Sequence, residues 1–230
     1  MINDTPFLYD KDWVDHEVSY YEFNGMNLLY RENMYVKDFF VPFLVFQDKN
    51  GNKINPIIEG PYFNNRKNFN LRKNIKSYNL ACIDIIEECK IKKIRKLKIH
   101  QPVVYRTNTS ICSLSPAELL YKSEIIYRNR VGIDLTYDTH KIKSNFRKSY
   151  KQLVNKEKSE KIEVYFGSIP DAVFGKFVDK HFFLAGRKTK SDICWDILKK
   201  FIKEEKAILV SINNDFLFFF TSKDYSYYGI

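Results

Sequence analysis

The run His181-Phe-Phe-Leu-Ala-Gly-Arg-Lys-Thr-Lys-Ser-Asp-Ile-Cys-Trp-Asp196 gathers more side chains able to do chemistry than any other part of the chain. Arg187, Lys188 and Lys190 are cations, Thr189 and Ser191 add hydroxyls, and His181 and Trp195 stand toward either end. Cations beside the unpaired backbone N–H groups of a helix start are suited to holding an anion. The chemistry expected here is binding and orientation of a negatively charged group.

Two helices must present this run. Val173, Phe174, Phe177, Val178 and Phe182 recur at helical spacing, and Gly186 is a natural stop because glycine takes the left-handed conformation without steric cost. Thr189 and Asp192 stand three apart, close to a capping box with Asp in the usual Glu/Gln place. Ile193, Ile197, Leu198, Phe201 and Ile202 then form a second apolar stripe. His181 falls on the first stripe, which fits either a core histidine satisfied by one hydrogen bond or a member of the site. Arg187 and Lys188 read equally as turn residues in solvent. Trp195, off the Ile193/Ile197 stripe, reads as core or as a pocket wall.

The 230 residues suffice for one large domain or two small ones, and 44% hydrophobic content supports a real core. With 38 basic against 28 acidic side chains the formal charge is +10. That surplus favours polyanionic partners, whether nucleic acid, nucleotide-linked substrates or an anionic membrane surface, or else describes a lysine-rich solvated exterior. No apolar run reaches the ~18 residues of a membrane span, and the start of the chain lacks a basic and apolar signal region. The expected place is therefore cytoplasmic, with peripheral attachment to the inner membrane left open. Cys82, Cys89, Cys112 and Cys194 are scattered without a Cys-x-x-Cys pair, so free thiols and no metal site are expected.

Along the chain, Asp10 or Asp12 starts a short helix carrying Trp13, Val18, Tyr20 and Tyr21. Met26–Arg31 and Val36–Phe46 read as strands, the second interrupted by Pro42. Asp48–Asn52 is a turn and Lys53–Ile58 the returning strand. A loop from Glu59 to Asn65, a helix from Tyr78 to Lys90 and a strand from Ile94 to Ile99 follow. Ser115-Pro116-Ala117-Glu118 is a capping box with proline at the first helical position.

A second unit begins near Val131. A strand at Val131–Leu135 precedes a helix capped by Asp138 or Thr139, with Ile142, Phe146, Tyr150, Leu153 and Val154 on one face. Arg147, Lys148 and Lys151 make its other face basic, either as an ordinary solvated surface or as a contact for tRNA or nucleotide phosphate. Strands at Ile162–Phe166, Ala207–Ile212, Phe216–Thr221 and Tyr225–Ile230 flank the two helices of the His181 run. Tyr227 and Tyr228 alternate across the last strand, so one of the two faces a cleft if a cleft is there. The orders read β-α-β-β-β-α-β for the first unit and β-α-α-β-β-β for the second.

The second order resembles the first half of an acyl-CoA N-acyltransferase (GNAT) fold. Ile133-Asp134-Leu135-Thr136, Phe146 to Asn155, His181 to Asp196 and Tyr225-Ser226-Tyr227-Tyr228-Gly229 are similar to the second domain of FemAB-type proteins. Over residues 1–130 the likeness rests on element order, the proline-bearing strand Phe40–Leu44 and Gly60-Pro61-Tyr62, with Asn64 and Asn65 where that family has glycines. The resemblance implies an α+β chain of tandem GNAT-like mixed sheets flanked by helices, with domains at 1–130 and 131–230 and the second truncated to its N-terminal half. It implies transfer of an aminoacyl or acyl group to an amine of a peptidoglycan or envelope-polysaccharide precursor, nucleotide- or lipid-linked. The donor would be acyl-CoA or aminoacyl-tRNA, so tRNA is a further expected partner.

His181, Arg187, Lys188, Thr189, Ser191, Trp195, Tyr227 and Tyr228 then become the expected substrate-binding set, and Arg147, Lys148 and Lys151 the expected phosphate or tRNA contacts. GNAT folds hold the donor pyrophosphate at a loop and helix start following the strand that ends this chain. A polypeptide lacking that segment is expected not to hold a donor there, which leaves open a non-catalytic remnant or a basic nucleic-acid-binding module. Direct attack by an amine needs a deprotonated nucleophile, alignment and oxyanion stabilisation, so the lack of a Ser-His-Asp, H-E-x-x-H, Walker or G-x-G-x-x-G pattern decides nothing.

Overall fold

The computed structural model describes residues 10–36, 39–59, 62–63, 71–100, 137–149, 151–152, 161–221 and 226–228. Mixed α+β structure is observed, with two small sheets and five helices among the described residues. The Ser115 capping box and the Val131–Leu135 strand lie outside them, as does Cys112. The other three cysteines are buried and unbridged.

Helix α1 (Lys11–Phe23) opens the described chain, with Asp10 as N-cap accepting from the Asp12 N–H at 2.8 Å. Strands β1 (Asn27–Val36), β2 (Phe39–Gln47) and β3 (Lys53–Glu59) follow as antiparallel neighbours. Pro42 sits within β2, opposite Asn33, and does not interrupt it. The Asp48 carboxylate accepts from the Asn50 and Asn52 N–H groups at 2.9 and 2.8 Å, and Gly51 takes φ +79°, which closes the expected turn.

The stretch expected as a loop contains a short strand, β4 (Tyr62–Phe63), paired with β2. Helix α2 (Leu71–Ile91) starts seven residues before the expected Tyr78, because the Arg72-Lys73-Asn74 turn offers no apolar periodicity to read. Strand β5 (Lys96–His100) lies parallel to β3, so β3, α2 and β5 form a crossover unit.

Strand β2 is buried on both faces. Phe43 and Val45 pack with Ile85 and Cys89 of α2, whereas Leu44 and Phe46 pack with Val14 and Val18 of α1. A continuous apolar run, rather than alternation, is what a strand covered on both sides requires.

Helix α3 is only Thr139–Ser144, capped by the Asp138 carboxylate on the Lys141 N–H at 2.8 Å. The longer expected helix is broken at Asn145–Arg147, and residues 148–149 and 151–152 are helical again. Beyond it, β6 (Ile162–Tyr165), α4 (Asp171–Ala185), α5 (Asp192–Lys203), β7 (Ala207–Ile212), β8 (Asp215–Thr221) and β9 (Ser226–Tyr228) give the order β-α-α-β-β-β. The four strands pair antiparallel in sequence order.

Leu209 and Phe218 are neighbours in register, and they join Phe177, Trp195, Leu198 and Phe201 in one core between this sheet and its two helices. Each large side chain so buried contributes roughly 1.5–3 kcal/mol relative to exposure. Gly186 closes α4 at φ +67°, as its position predicts.

Helix α1 serves both sheets. Val14, Val18 and Tyr21, spaced i, i+4, i+7, face β1 and β2. On its other side Trp13 stacks on His16 at 4.8 Å and meets Phe220 edge-on at 5.0 Å, reaching the core of the second sheet. Ion pairs tie its start to the same unit: Asp12 to Lys200 at 2.9 Å and to Lys206 at 3.5 Å, and Asp10 to Lys206 at 3.2 Å.

Burial raises the Asp12 pKa, but the hydrogen bond and charge of Lys200, with those of Lys206, outweigh it and hold the carboxyl below its ordinary 3.8. A carboxyl depressed on folding stabilises the protein above its unfolded value and loses that contribution as the pH falls through the folded one. Asp12→Asn is therefore expected to lower the urea midpoint at pH 7 and to flatten the acid limb of the stability curve below about pH 4. Acid and urea titrations of both proteins followed by circular dichroism check this. An acid limb unchanged by the substitution would remove Asp12 as its source.

Candidate functional site

Ser191, not Thr189, is the N-cap of α5. Its hydroxyl accepts from the Cys194 N–H at 3.2 Å, with Asp192 in the first turn and Lys200 and Lys203 in the last, each sign matching the helix dipole. Thr189 is thereby released from capping, and its Oγ1 lies 2.8 Å from His181 Nε2. That bond ties the end of α4 to the turn leading into α5. The Asn24 side-chain amide donates to the Thr189 carbonyl at 3.3 Å, which brings the end of α1 to the same turn.

The expected residues separate by environment. His181 is half-buried and meets the Trp195 ring edge-on at 5.1 Å. Trp195 itself is buried in the core of the second sheet, where Phe177 packs edge-on at 5.7 Å. Lys188 is exposed and paired with Asp192 at 2.7 Å, its ammonium 6.0 Å from the Phe23 ring centroid. Arg187 is exposed and has no ion pair among the described residues. Arg147, Lys148 and Lys151 are solvent-exposed on a separate segment. In register, Tyr227 is opposite Phe220 and Tyr228 opposite Phe219.

The residue at the centre of the junction is Lys190, which is only 8% exposed. Its ammonium stands 5.2 Å from the Trp195 ring centroid and 5.9 Å from that of Tyr20 on α1, so two aromatic faces line it. No carboxylate pairs with it among the described residues. Burial lowers its pKa, partly opposed by Cys194 and Glu17. His16, beside Tyr20 on α1, is also buried, and its Nε2 has no hydrogen-bond partner among the described residues. The Cys194 thiol donates to the His16 carbonyl at 3.7 Å. Lys190 lies among the three cations of the turn, but local sequence does not show that α1 folds over it, because the pairing spans 170 residues.

The His181 pKa is held below its ordinary 6.5, first by burial and then by the Lys190 charge. The neutral imidazole is the resting form at neutral pH. A histidine depressed on folding stabilises the protein fully above 6.5 and loses that contribution as the pH falls through its folded value.

The first turn of α2 carries Arg72 and Lys73 and no acid, although cations at a helix N-terminus oppose the dipole. Strand β3 has a register shift against β5 between Asn55 and Ile58, where Pro56 supplies no N–H to the ladder. Asn55 is buried, donates its side-chain amide to the Leu44 carbonyl and leaves Oδ1 without a partner among the described residues.

No protein family, no curated protein and no solved structure matches the chain. Among the described residues no group of three or more His, Cys, Asp or Glu is placed to hold a metal, and no helix is long and apolar enough to cross a membrane.

Replacing Lys190 by Met keeps the apolar stem and deletes the charge. The expected result is a His181 titration midpoint that moves up toward 6.5, read by NMR, with thermal stability unchanged or raised because an unpaired buried charge is removed. A midpoint that stays in place would show that Lys190 does not act on His181.

Proposed function

We propose that this chain is part of an N-acyltransferase that passes an acyl or aminoacyl group to an amine of a cell-envelope precursor. The observation that carries the reading is the turn between α4 and α5, which sets a neutral His181 against Thr189 and leaves Arg187 exposed. The order β-α-α-β-β-β with sequential antiparallel pairing in the second sheet supports the same reading.

In this reading the donor is acyl-CoA or aminoacyl-tRNA. The amine acceptor, nucleotide- or lipid-linked, meets the turn of Arg187 and His181. Neutral His181, held by the Thr189 hydroxyl at 2.8 Å, suits taking a proton from the acceptor's ammonium; the free amine then attacks the carbonyl carbon and the donor's thiol or 3′-hydroxyl leaves with a proton. Arg187 is the cation available for an acceptor phosphate, since Lys188 is paired and Lys190 is buried. No covalent enzyme intermediate is needed, because alignment of amine and thioester or ester supplies most of the rate. Work on such a precursor places the chain in the cytoplasm, at or near the inner face of the membrane.

The other reading, a basic nucleic-acid-binding module without chemistry, draws on the exposed Arg147, Lys148 and Lys151. Calorimetric titration of the intact chain with acetyl-CoA, and with charged tRNA, separates the two. Binding of acetyl-CoA or charged tRNA that persists in Lys148→Glu/Lys151→Glu is expected. Binding that is confined to RNA, salt-sensitive and abolished by that pair would overturn it in favour of the module.

A further inference from the structure

The second sheet is apolar on both of its faces. Antiparallel sheets with one face in solvent alternate apolar with polar residues, whereas a strand covered on both sides reads as an unbroken apolar run. β7 reads Ala-Ile-Leu-Val-Ser-Ile, and β8 reads Phe-Leu-Phe-Phe-Phe after Asp215, so neither strand offers a polar face. Register sorts the side chains. Leu209 is opposite Tyr165 and Phe218, and these three pack into the core beneath α4 and α5. Val210 is opposite Val164 and Leu217, Ile212 is opposite Ile162, and Ile208 lies two residues from Val210, so these six line the other face.

None of the six joins the core under α4 and α5 or either core of the first sheet. Ile162 is 51% exposed, Val164 62%, and Phe166, just past the end of β6, 46%. Single exposed apolar residues are ordinary, but a whole sheet face of them marks a contact surface.

Size and charge name the occupant. The four strands span about 19 Å across and about 20 Å along, a footprint on the order of 400 Å² per copy. Side chains standing on that footprint expose more area than its flat projection. Two copies face to face therefore bury about the 1,000 Å² that the smallest specific interfaces need, enough for a weak dimer and too little for an obligate one. The chain carries a net +10, so two copies repel wherever their lysine-bearing surfaces approach. Among the described strand positions of this face the charged residue is Asp215, at a corner, and Lys180 of α4 neutralises it at 2.8 Å. Glu163, paired with Lys161 at 2.7 Å, belongs to the opposite face, where Lys176 of α4 also acts on it. A flat face without free charge is complementary to itself, and pairing through it buries no unmatched ion. An anionic lipid or nucleic acid would meet no cation there.

We infer that the open face of the second sheet, centred on Val164, Val210 and Leu217, is the contact between two copies of this chain, packed sheet to sheet about a two-fold axis. Helices α4 and α5 cover the opposite face, so the turn of His181 and Arg187 stays on the outside of each copy. The pairing is independent of the acyl-transfer reading.

The test is sedimentation velocity of the intact chain over a wide range of concentration, at low and at high salt. A monomer that becomes a dimer as concentration rises is expected, with association unchanged or strengthened by salt, which screens the +10 repulsion. Val164→Lys sets like charges against each other across the contact and should raise the dissociation constant at least about tenfold. The melting temperature of the dilute protein should stay unchanged, because Val164 already faces solvent. Ile162→Lys, also at an exposed position, is the second variant should the first lower stability. A single-chain mass at every concentration would overturn the inference, as would association that salt abolishes or that both variants leave intact. So would a monomeric wild type whose melting temperature drops sharply in both variants, because the face would then be covered within its own chain.

Discussion

The packing of α1 on two sheets at once is the constraint on which the remaining structure depends. Val14 and Val18 meet Leu44 and Phe46 on one side, and Trp13 reaches Phe220 and the core of the second sheet on the other. Both sheets are small, so the apolar contacts that α1 adds to each are a large share of their burial. On the second sheet's side Trp13 makes that contact, within the row Trp13, His16, Tyr20. That row also creates the one environment in which Lys190 can be buried, between the Tyr20 and Trp195 rings.

The site inherits its properties from that packing. Burial first, and then the charge of Lys190, which has no carboxylate partner among the described residues, depress His181 and keep that imidazole neutral. Thr189 positions the imidazole because Ser191 has taken over the cap of α5. The cations of the turn thus divide by role: Lys190 is structural and electrostatic, Lys188 is paired, and Arg187 faces solvent. A uniform anion-holding turn becomes one exposed arginine beside a tuned histidine.

Much of the fold was legible because its signals are local. Gly186 ends α4, Asp48 and Gly51 close the β2–β3 turn, Asp10 and Asp138 cap their helices, and the strands from Ile162 onward fall where alternation puts them. The departures are tertiary or chemical. Pro42 sits within β2 without breaking it, and α2 begins in a polar turn that periodicity cannot detect. The helix after Asp138 stops at Ser144 although its apolar spacing continues. Trp195 is off one apolar stripe but on another, Cys194-Trp195-Leu198-Phe201-Ile202, which only the burial of Ile193's neighbours reveals. At the site, residue types and the turn were readable, whereas the aromatic lining of Lys190 was not, since Tyr20 lies 170 positions away.

The chain has two tryptophans, and Trp13 and Trp195 both lie at the α1–α5 junction. Their fluorescence therefore reports the contact between α1 and the second sheet, while far-ultraviolet circular dichroism reports helices and strands throughout. Urea unfolding followed by both signals tests most directly whether α1 holds the two sheets in one cooperative unit. Coincident midpoints and slopes are predicted. A fluorescence transition completed at lower urea, with most of the circular dichroism retained, would contradict it by showing that α1 leaves while the sheets stay folded.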